Sequence, residues 1–378
     1  MTSQSSRSGE KQSSLLSGRM RYLIAGSSVT LFVFMLLSAY LSPFAYMAVT
    51  SFKNRAQITD PKEPIFPLSA TYTYTGKEVT YSFVFEGKEG EVTLEPGDEF
   101  DFYEVEKDGK TRQLALVVPR RTASFFIDPG NLDAGLIEWE GQWRTLQPAY
   151  RFDPQLDNFA RAWAEIDFLQ KIRNTLIIAI VGDIGTLVSC TLVAYGFSRF
   201  RIPGKNVLLI ILTGTIVLPG QVTLIPTYAL FSRIGWVGTF LPLIVPHFFA
   251  NAYNVFLLRQ YFMSIPKDVD EAAMLDGAGP LRTLFSVILP QAIPVLIAVV
   301  LFHFVFAWND YFAPLVYLAS VPDLQPISIA IQYYNQTYTF EPNMIQATAI
   351  MGLVLPVLIF FLGQRVFMRG VVAPSIGK

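Results

Sequence analysis

Six apolar runs constrain this chain more than any other feature. Residues 22–50, 172–197, 207–231, 239–261, 289–312 and 344–367, approximately, are each dominated by aliphatic and aromatic side chains. A bilayer hydrocarbon core about 30 Å thick is crossed by about 20 mostly apolar residues in a helix, which satisfies its own backbone there. Composition agrees, with 52% hydrophobic and 16% charged residues, against about 25% charged in an ordinary soluble domain. The expected fold class is an all-α polytopic membrane protein with six transmembrane helices. The first run is expected to stay as an anchor, because its uncharged stretch, 22–52, far exceeds the about 7–15 residues of a signal-peptide core.

A net charge of −1 gives no global attraction to nucleic acid. The single Cys190 has no partner for an intrachain disulfide, and no Cys/His spacing suits a metal. Orientation follows from Lys and Arg in the short loops. Arg7, Lys11, Arg19 and Arg21 precede the first run, Arg199, Arg201 and Lys205 separate the second from the third, and Arg365, Arg369 and Lys378 follow the sixth. The connection 309–343 has neither Lys nor Arg, and the turn between the third and fourth runs has only Arg233. Both tails, 1–21 and 368–378, are therefore expected in the cytoplasm, together with the loop 264–288. The connection 51–171 is expected outside.

That outer connection is a different material. Between Lys77 and Arg112 it carries eleven acids against five bases. Val79, Tyr81, Phe83 and Phe85 alternate with polar neighbours, a glycine-flanked turn follows at 87–90, and Asp108-Gly109 separates another pair of strand-like runs. The pattern predicts a small β-rich insertion, about 68–148, between the first and second helices. It serves either as a spacer or as a docking surface; the sequence supports both.

The loop 264–288 contains Asp-Glu-Ala-Ala-Met-Leu-Asp-Gly-Ala-Gly, 270–279. Pro266 pre-sets a first helical turn, and Asp268, Asp270 and Glu271 sit where a helix dipole favours acids. Gly277 and Gly279 end that helix, and Pro280 suits the start of the next. The prediction is a helix-turn-helix finger whose Ala272 and Ala273 lack bulk, so that another protein can approach closely with Glu271 as an anchoring charge. A loop helix packed on its own protein is the plainer alternative.

The spacing Glu271-Ala272-Ala273, three residues, Gly277, nine residues, Val287-x-Leu289-Pro290 resembles the signature loop of inner-membrane permease subunits of binding-protein-dependent ABC importers, with Val287 in place of an isoleucine. Other stretches resemble the carbohydrate branch, the maltose-type permeases: 174–204, 219–231, Phe256–Phe262 and 307–315, with 153–163 before the second helix. The likeness covers roughly 20–66 and 150–378, leaving the β insertion outside it. It implies that the finger, with Asp276 in it, enters a cleft on a cytosolic ATPase dimer. It also implies a second homologous permease subunit and an extracytoplasmic sugar-binding protein as partners in the lipid membrane. No cofactor is expected on this chain, ATP and Mg being bound by the partner ATPase. Gly204-Lys205 follows Pro203 and lacks both the leading glycine and the Ser/Thr of a phosphate-binding loop, so the chain is expected to be a non-catalytic subunit.

Polar groups inside membrane helices are costly and face a cavity or a partner helix. His247, Asn251 and Asn254, at i, i+4 and i+7, would form one stripe on a continuous helix. They are candidates for sugar hydroxyls or for interhelical hydrogen bonds that hold subunits together. Trp308 and Asn309 offer a ring and an amide, although Trp308 also suits an interface belt. Pro219-Gly220-Gln221 and Pro226 should break the third helix near mid-depth, which makes Gln221 a further candidate for the path. Asp183, halfway along the second helix, is either buried against protein or part of a proton relay.

Three classes of function compete: a subunit of an ATP-driven carbohydrate importer, a secondary transporter, and a membrane-anchored receptor using the β module. A non-sugar ABC permease is a fourth variant. Six spans with one buried Asp are few for a complete carrier, and a receptor anchor does not explain the finger.

Overall fold

The computed structural model describes residues 5–59, 64–85, 87–107, 109–335 and 340–372; side chains are not described for 5–25, 56 and 365–372. The terminal Lys and Arg residues used above to orient the chain, and Glu86 and Asp108, lie outside the described residues or side chains. The chain divides into two units, Met1–Gln155 and Leu156–Lys378.

The first unit opens with a helix, Ser5–Ser51, of which Gly26–Ser51 is long and apolar enough to cross a membrane. The β-rich insertion follows. Its strands are β1 (Leu68–Ser69), β2 (Thr71–Thr73), β3 (Val79–Phe85), β4 (Lys88–Leu94), β5 (Glu99–Lys107), β6 (Lys110–Val118), β7 (Ala123–Ile127), β8 (Ile137–Glu140), β9 (Gln147–Pro148) and β10 (Arg151–Phe152). An antiparallel sheet runs β2-β5-β6-β7-β8 with β9 also on β5, and β3-β4 and β1-β10 form separate pairs. The period-2 reading of β3 holds, since Val79, Tyr81, Phe83 and Phe85 are half-buried and the residues between them exposed. The predicted turn at 87–90 is shorter than expected: Gly87 has φ 75° and Lys88 already pairs with Phe85. Tyr81 Oη donates to the Leu132 carbonyl at 3.0 Å and the Phe83 and Phe125 rings lie 4.8 Å apart, which fastens the hairpin to the main sheet. Tyr74, Leu94, Phe102 and Ile127 fill one core and Val105, Leu114, Leu116 and Phe126 a second.

In the second unit, three segments are long and apolar enough to span: Phe168–Arg199, Leu241–Ser264 and Pro342–Gln364. Two helix pairs qualify only when joined across a bend, Lys205–Val217 with Gly220–Arg233 at 98° and Pro280–Gln291 with Ile293–Asn309 at 82°. The first bend is the predicted break. Proline pushes the residue before it out of the helical region, and Leu218 (ψ 118°) and Pro219 (ψ 130°) are extended. The second departs from the single run expected at 289–312: the helix stops at Ala292, with Pro294 in the next first turn. The run 239–261 is likewise not one helix. A short helix Leu241–Ile244 and a 3₁₀ turn Val245–Phe248 lead to an extended Phe249, and a new helix, Ala252–Ser264, starts after Asn251.

The bundle is tied by polar contacts at one end. Asn343 donates to Asn158 Oδ1 at 3.1 Å, Tyr334 Oη donates to Glu165 at 2.9 Å, and Asn174 donates to the Asp323 carbonyl at 2.7 Å. Between the helices Phe168–Arg199, Ala252–Ser264 and Ile293–Asn309 lies a core of Cys190, Ala194, Val255, Leu258, Val295 and Val299.

Candidate functional site

The finger is a helix, Lys267–Leu275, closed by a left-handed Gly277 at φ 76°. Gly277 N–H donates to the Met274 carbonyl (3.0 Å) and Ala278 N–H to the Ala273 carbonyl (2.9 Å). These are the two bonds of a Schellman cap, which satisfies helix-end carbonyls and needs positive φ at the glycine. Pro266 stands one residue before the helix, and Pro280 begins the next one, Pro280–Thr283, after Gly279.

Burial separates residues that the sequence treated alike. Glu271, Ala272, Asp276 and Gly277 are exposed, whereas Ala273 is buried. Pro290 is exposed and Leu289 half-buried against the core. Met274, Leu275, Leu281 and Phe285 also stand out, Leu275 at 90% exposure. Their signal was present as long apolar residues beside the two glycines.

The finger is fixed by a pair that sequence reasoning missed. The Asp270 carboxylate lies 2.9 Å from Arg199 Nε, both side chains being about nine-tenths buried, and Arg199 also donates to the Ile265 carbonyl at 3.1 Å. Burial pushes the Asp270 carboxyl up from its ordinary value, against the opposing pull of Arg199 and Lys267. Tyr195 Oη donates to the Pro280 carbonyl at 3.1 Å. The finger is thus bound to the end of the helix Phe168–Arg199 at both its helices.

A second feature is a cavity of about 520 Å³ lined by His247, Asn251, Tyr253, Asn254, Phe302, His303 and Phe306. His247, Asn251 and Asn254 meet here although the helix they were expected to share is broken. Asn251 is the cap of the helix Ala252–Ser264, its Oδ1 accepting from the Asn254 N–H at 2.9 Å. His303, not foreseen, is 4% exposed; its Nδ1 lies 3.1 Å from Asp183 Oδ1, and its ring meets that of His247 edge-on with centroids 4.4 Å apart. Asp183 is itself buried, 7% exposed, in keeping with the reading of a carboxyl set against protein. Gly182 makes the approach possible: a Cβ there would sit 2.7 Å from the His303 ring. A lone His in an apolar run gives no hint of its partner, so only the fold brings Asp183, His247 and His303 together.

The remaining candidates lie elsewhere. Trp308 is 5% exposed, donates Nε1–H to the Gly352 carbonyl at 3.0 Å and packs on Phe304, which leaves it a poor stacking platform. Asn309 is exposed and returns its amide to the Val305 carbonyl at 2.8 Å, and Gln221 is exposed just after the bend. None of the three lines the cavity. Among the described residues no group of His, Cys, Asp and Glu is arranged to hold a metal ion, and Cys190 is buried and free.

A profile of the family described as "Binding-protein-dependent transport system inner membrane component" matches residues 187–372. The osmoprotective compounds uptake permease protein GgtD of Synechocystis sp. is 30% identical over 242 residues, 63% of this chain and 79% of the relative. The alpha-glucoside transport system permease protein AglG of Rhizobium meliloti is 27% identical over 227 residues, 58% of this chain and 60% of the relative. Among solved structures, a bacterial ABC transporter involved in the import of the acidic polysaccharide alginate aligns with TM-score 0.57 at 17% identity, over 97% of this chain and 99% of that one; the likeness speaks for the fold. The chain belongs to the family of binding-protein-dependent transport system inner membrane components. It is a multi-pass permease subunit of an ATP-binding-cassette importer, not an enzyme, and ATP hydrolysis takes place on a separate subunit.

Proposed function

We propose that this subunit forms half of the transmembrane pathway for a carbohydrate and transmits the ATPase's motion through the finger at 267–277. In this reading each bent helix pair counts as one span, giving six, with both termini in the cytoplasm and the β module outside. A second, homologous permease subunit supplies the other half of the path, and an extracytoplasmic binding protein delivers the sugar. The observation that carries the proposal is the finger: an exposed Glu271 and Ala272, a fully projecting Leu275 and a rigid Schellman cap, all bolted to a spanning helix by Asp270 and Arg199. A projecting apolar residue beside a carboxylate suits an apolar cleft with a basic rim. Because the finger is fixed to Phe168–Arg199, which also carries Gly182 and Asp183, a displacement at one end is delivered to the cavity as a rigid-body movement of that helix.

The cavity suits a neutral, hydroxylated ligand. Imidazoles and side-chain amides both donate and accept, and Tyr253, Phe302 and Phe306 supply apolar walls. The carbohydrate assignment draws support from these groups and from the alpha-glucoside permease among the relatives.

The test is Gly277→Val. Nothing lies within 4 Å of a Cβ at this position, so the penalty is backbone strain alone, about 1 kcal/mol or more for a β-branched residue at positive φ. Sugar uptake should fall at least tenfold while the ATPase still co-purifies and continues to hydrolyse ATP. Near-normal uptake by the variant, with the ATPase bound at normal stoichiometry, sinks the assignment.

A further inference from the structure

At one end of the acidic β module, three arginines converge. The β6–β7 turn carries Arg120 and Arg121, and the segment after β8 carries Gln142, Trp143 and Arg144. Gly141 joins the two loops: its N–H donates to the Thr122 carbonyl at 2.7 Å, its φ is 146°, and a Cβ would lie 2.4 Å from the Trp139 ring. The backbone bond ties the two segments together, and glycine suits the position because of its positive φ and the Trp139 ring of the preceding strand. Between them Arg120, Arg121, Gln142, Trp143 and Arg144 line a cavity of about 290 Å³.

The electrostatics of this cavity are unusual for its surroundings. Eleven acids lie between Lys77 and Arg112, yet among the described residues none of the three guanidinium groups has a carboxylate in ion-pair contact or a hydrogen-bond acceptor. Two of them lie over rings instead, Arg144 over Trp143 at 4.8 Å and Arg120 over Phe85 at 5.6 Å. Converging like charges repel, and a fold with so many acids could have neutralised them. Their segregation leaves room for an anion from outside, and a guanidinium fork matches a carboxylate with two parallel hydrogen bonds. The volume is near the low end of small-molecule sites, roughly 300–1,000 Å³, and smaller than a macromolecular contact requires. Trp143 adds an apolar ring and Gln142 an amide for hydroxyl groups.

We propose that this cavity is a binding site for a small carboxylated saccharide, with Arg121 and Arg144 engaging the carboxylate and Trp143 and Gln142 the sugar ring. It is a site on the β module, separate from the membrane cavity, and does not rest on the coupling role of the finger.

The experiment uses the full chain in nanodiscs of neutral lipid, titrated with digalacturonate, with maltose and with inorganic phosphate, followed by calorimetry and by the fluorescence change that Trp143→Phe removes. Digalacturonate should bind, at least tenfold more weakly to Arg121→Gln or Arg144→Gln, and progressively more weakly as salt is raised. Maltose should leave the Trp143 signal unchanged. Both variants should show the parent's protease resistance, since the side chains are exposed. Phosphate binding as tightly as digalacturonate, or digalacturonate binding that both arginine variants leave intact, overturns the proposal, as does absence of the Trp143 signal.

Discussion

In the main sheet of the β module Phe102, Leu114, Phe126 and Ile127 are fully buried, and Glu99, Asp101, Glu104 and Glu106 on the same sheet are exposed. Along the helix Phe168–Arg199 the arrangement is reversed. Ile180, Ile184, Val188 and Leu192 are 44% to 52% exposed, while Gly182, Asp183, Gly185, Thr186, Cys190 and Thr191 are buried. Both follow one rule applied to two solvents. Water drives apolar surface together. Lipid is as apolar as leucine, so helices associate through close packing of small residues and through hydrogen bonds. The module is held by the volume of its interior; the helix Phe168–Arg199 instead presents many small and polar residues to the bundle, where Val255, Leu258 and Val295 pack against Cys190 and Ala194.

The comparison can be broken most forcefully in the module. Phe126→Ala, at a fully buried ring that meets Trp139 edge-on, should cost about 3–5 kcal/mol and expose the amides of β5–β8 to hydrogen exchange, leaving Phe168–Arg199 protected. If the module also serves to dock the binding protein, uptake by this variant should fall at low binding-protein concentration and recover at high. Loss of protection in the bundle as well would show that the two units do not fold independently.

A smaller effect is expected where the bundle is tightest. Gly182→Ala places a methyl group 2.7 Å from the His303 ring, so the ring must shift away from Asp183 at a cost of about 1–3 kcal/mol. The thermal midpoint should drop and sugar affinity weaken, whereas Gly196→Ala, in the same helix and with no atom within 4 Å of the added Cβ, should lower neither. Equal behaviour of the two variants would remove the Asp183–His303–His247 cluster from any role in shaping the cavity.

The smallest effect sharpens the contrast of solvents. Ile184→Ala removes a large side chain that is 51% exposed on the outer face of the helix. Stability measured in lipid should change by no more than about 0.5 kcal/mol, an order of magnitude less than Phe126→Ala. A loss of 2 kcal/mol or more would mean that this face packs against another helix or subunit and not against lipid.

Much of this was legible in the chain itself, for local reasons. The bend at Leu218–Pro219 follows from proline's restriction of its neighbour, the finger from an acid-rich helix start and a glycine suited to positive φ, and β3 from its alternation of apolar and polar residues. Each is decided within a few residues by backbone sterics or periodicity. The break at Ala292 was missed although Pro294 signals it, because the apolar run masks the punctuation.

What the sequence could not supply are the pairings across long separations. Asp270 with Arg199, Asp183 with His303, and Arg120 with Arg144 each depend on which faces of distant elements meet. The same is true of the difference between Ala272 and Ala273, identical neighbours of which only the second is buried, and of Trp308, which turns inward to the Gly352 carbonyl. The sequence by itself determined which stretches are apolar enough to span, the break at Leu218–Pro219 and the helix and glycine cap of the finger, since chain stiffness and hydropathy act locally. Only the tertiary structure decided which polar groups share a cavity, because that depends on packing between segments whose separation along the chain carries no pairing information.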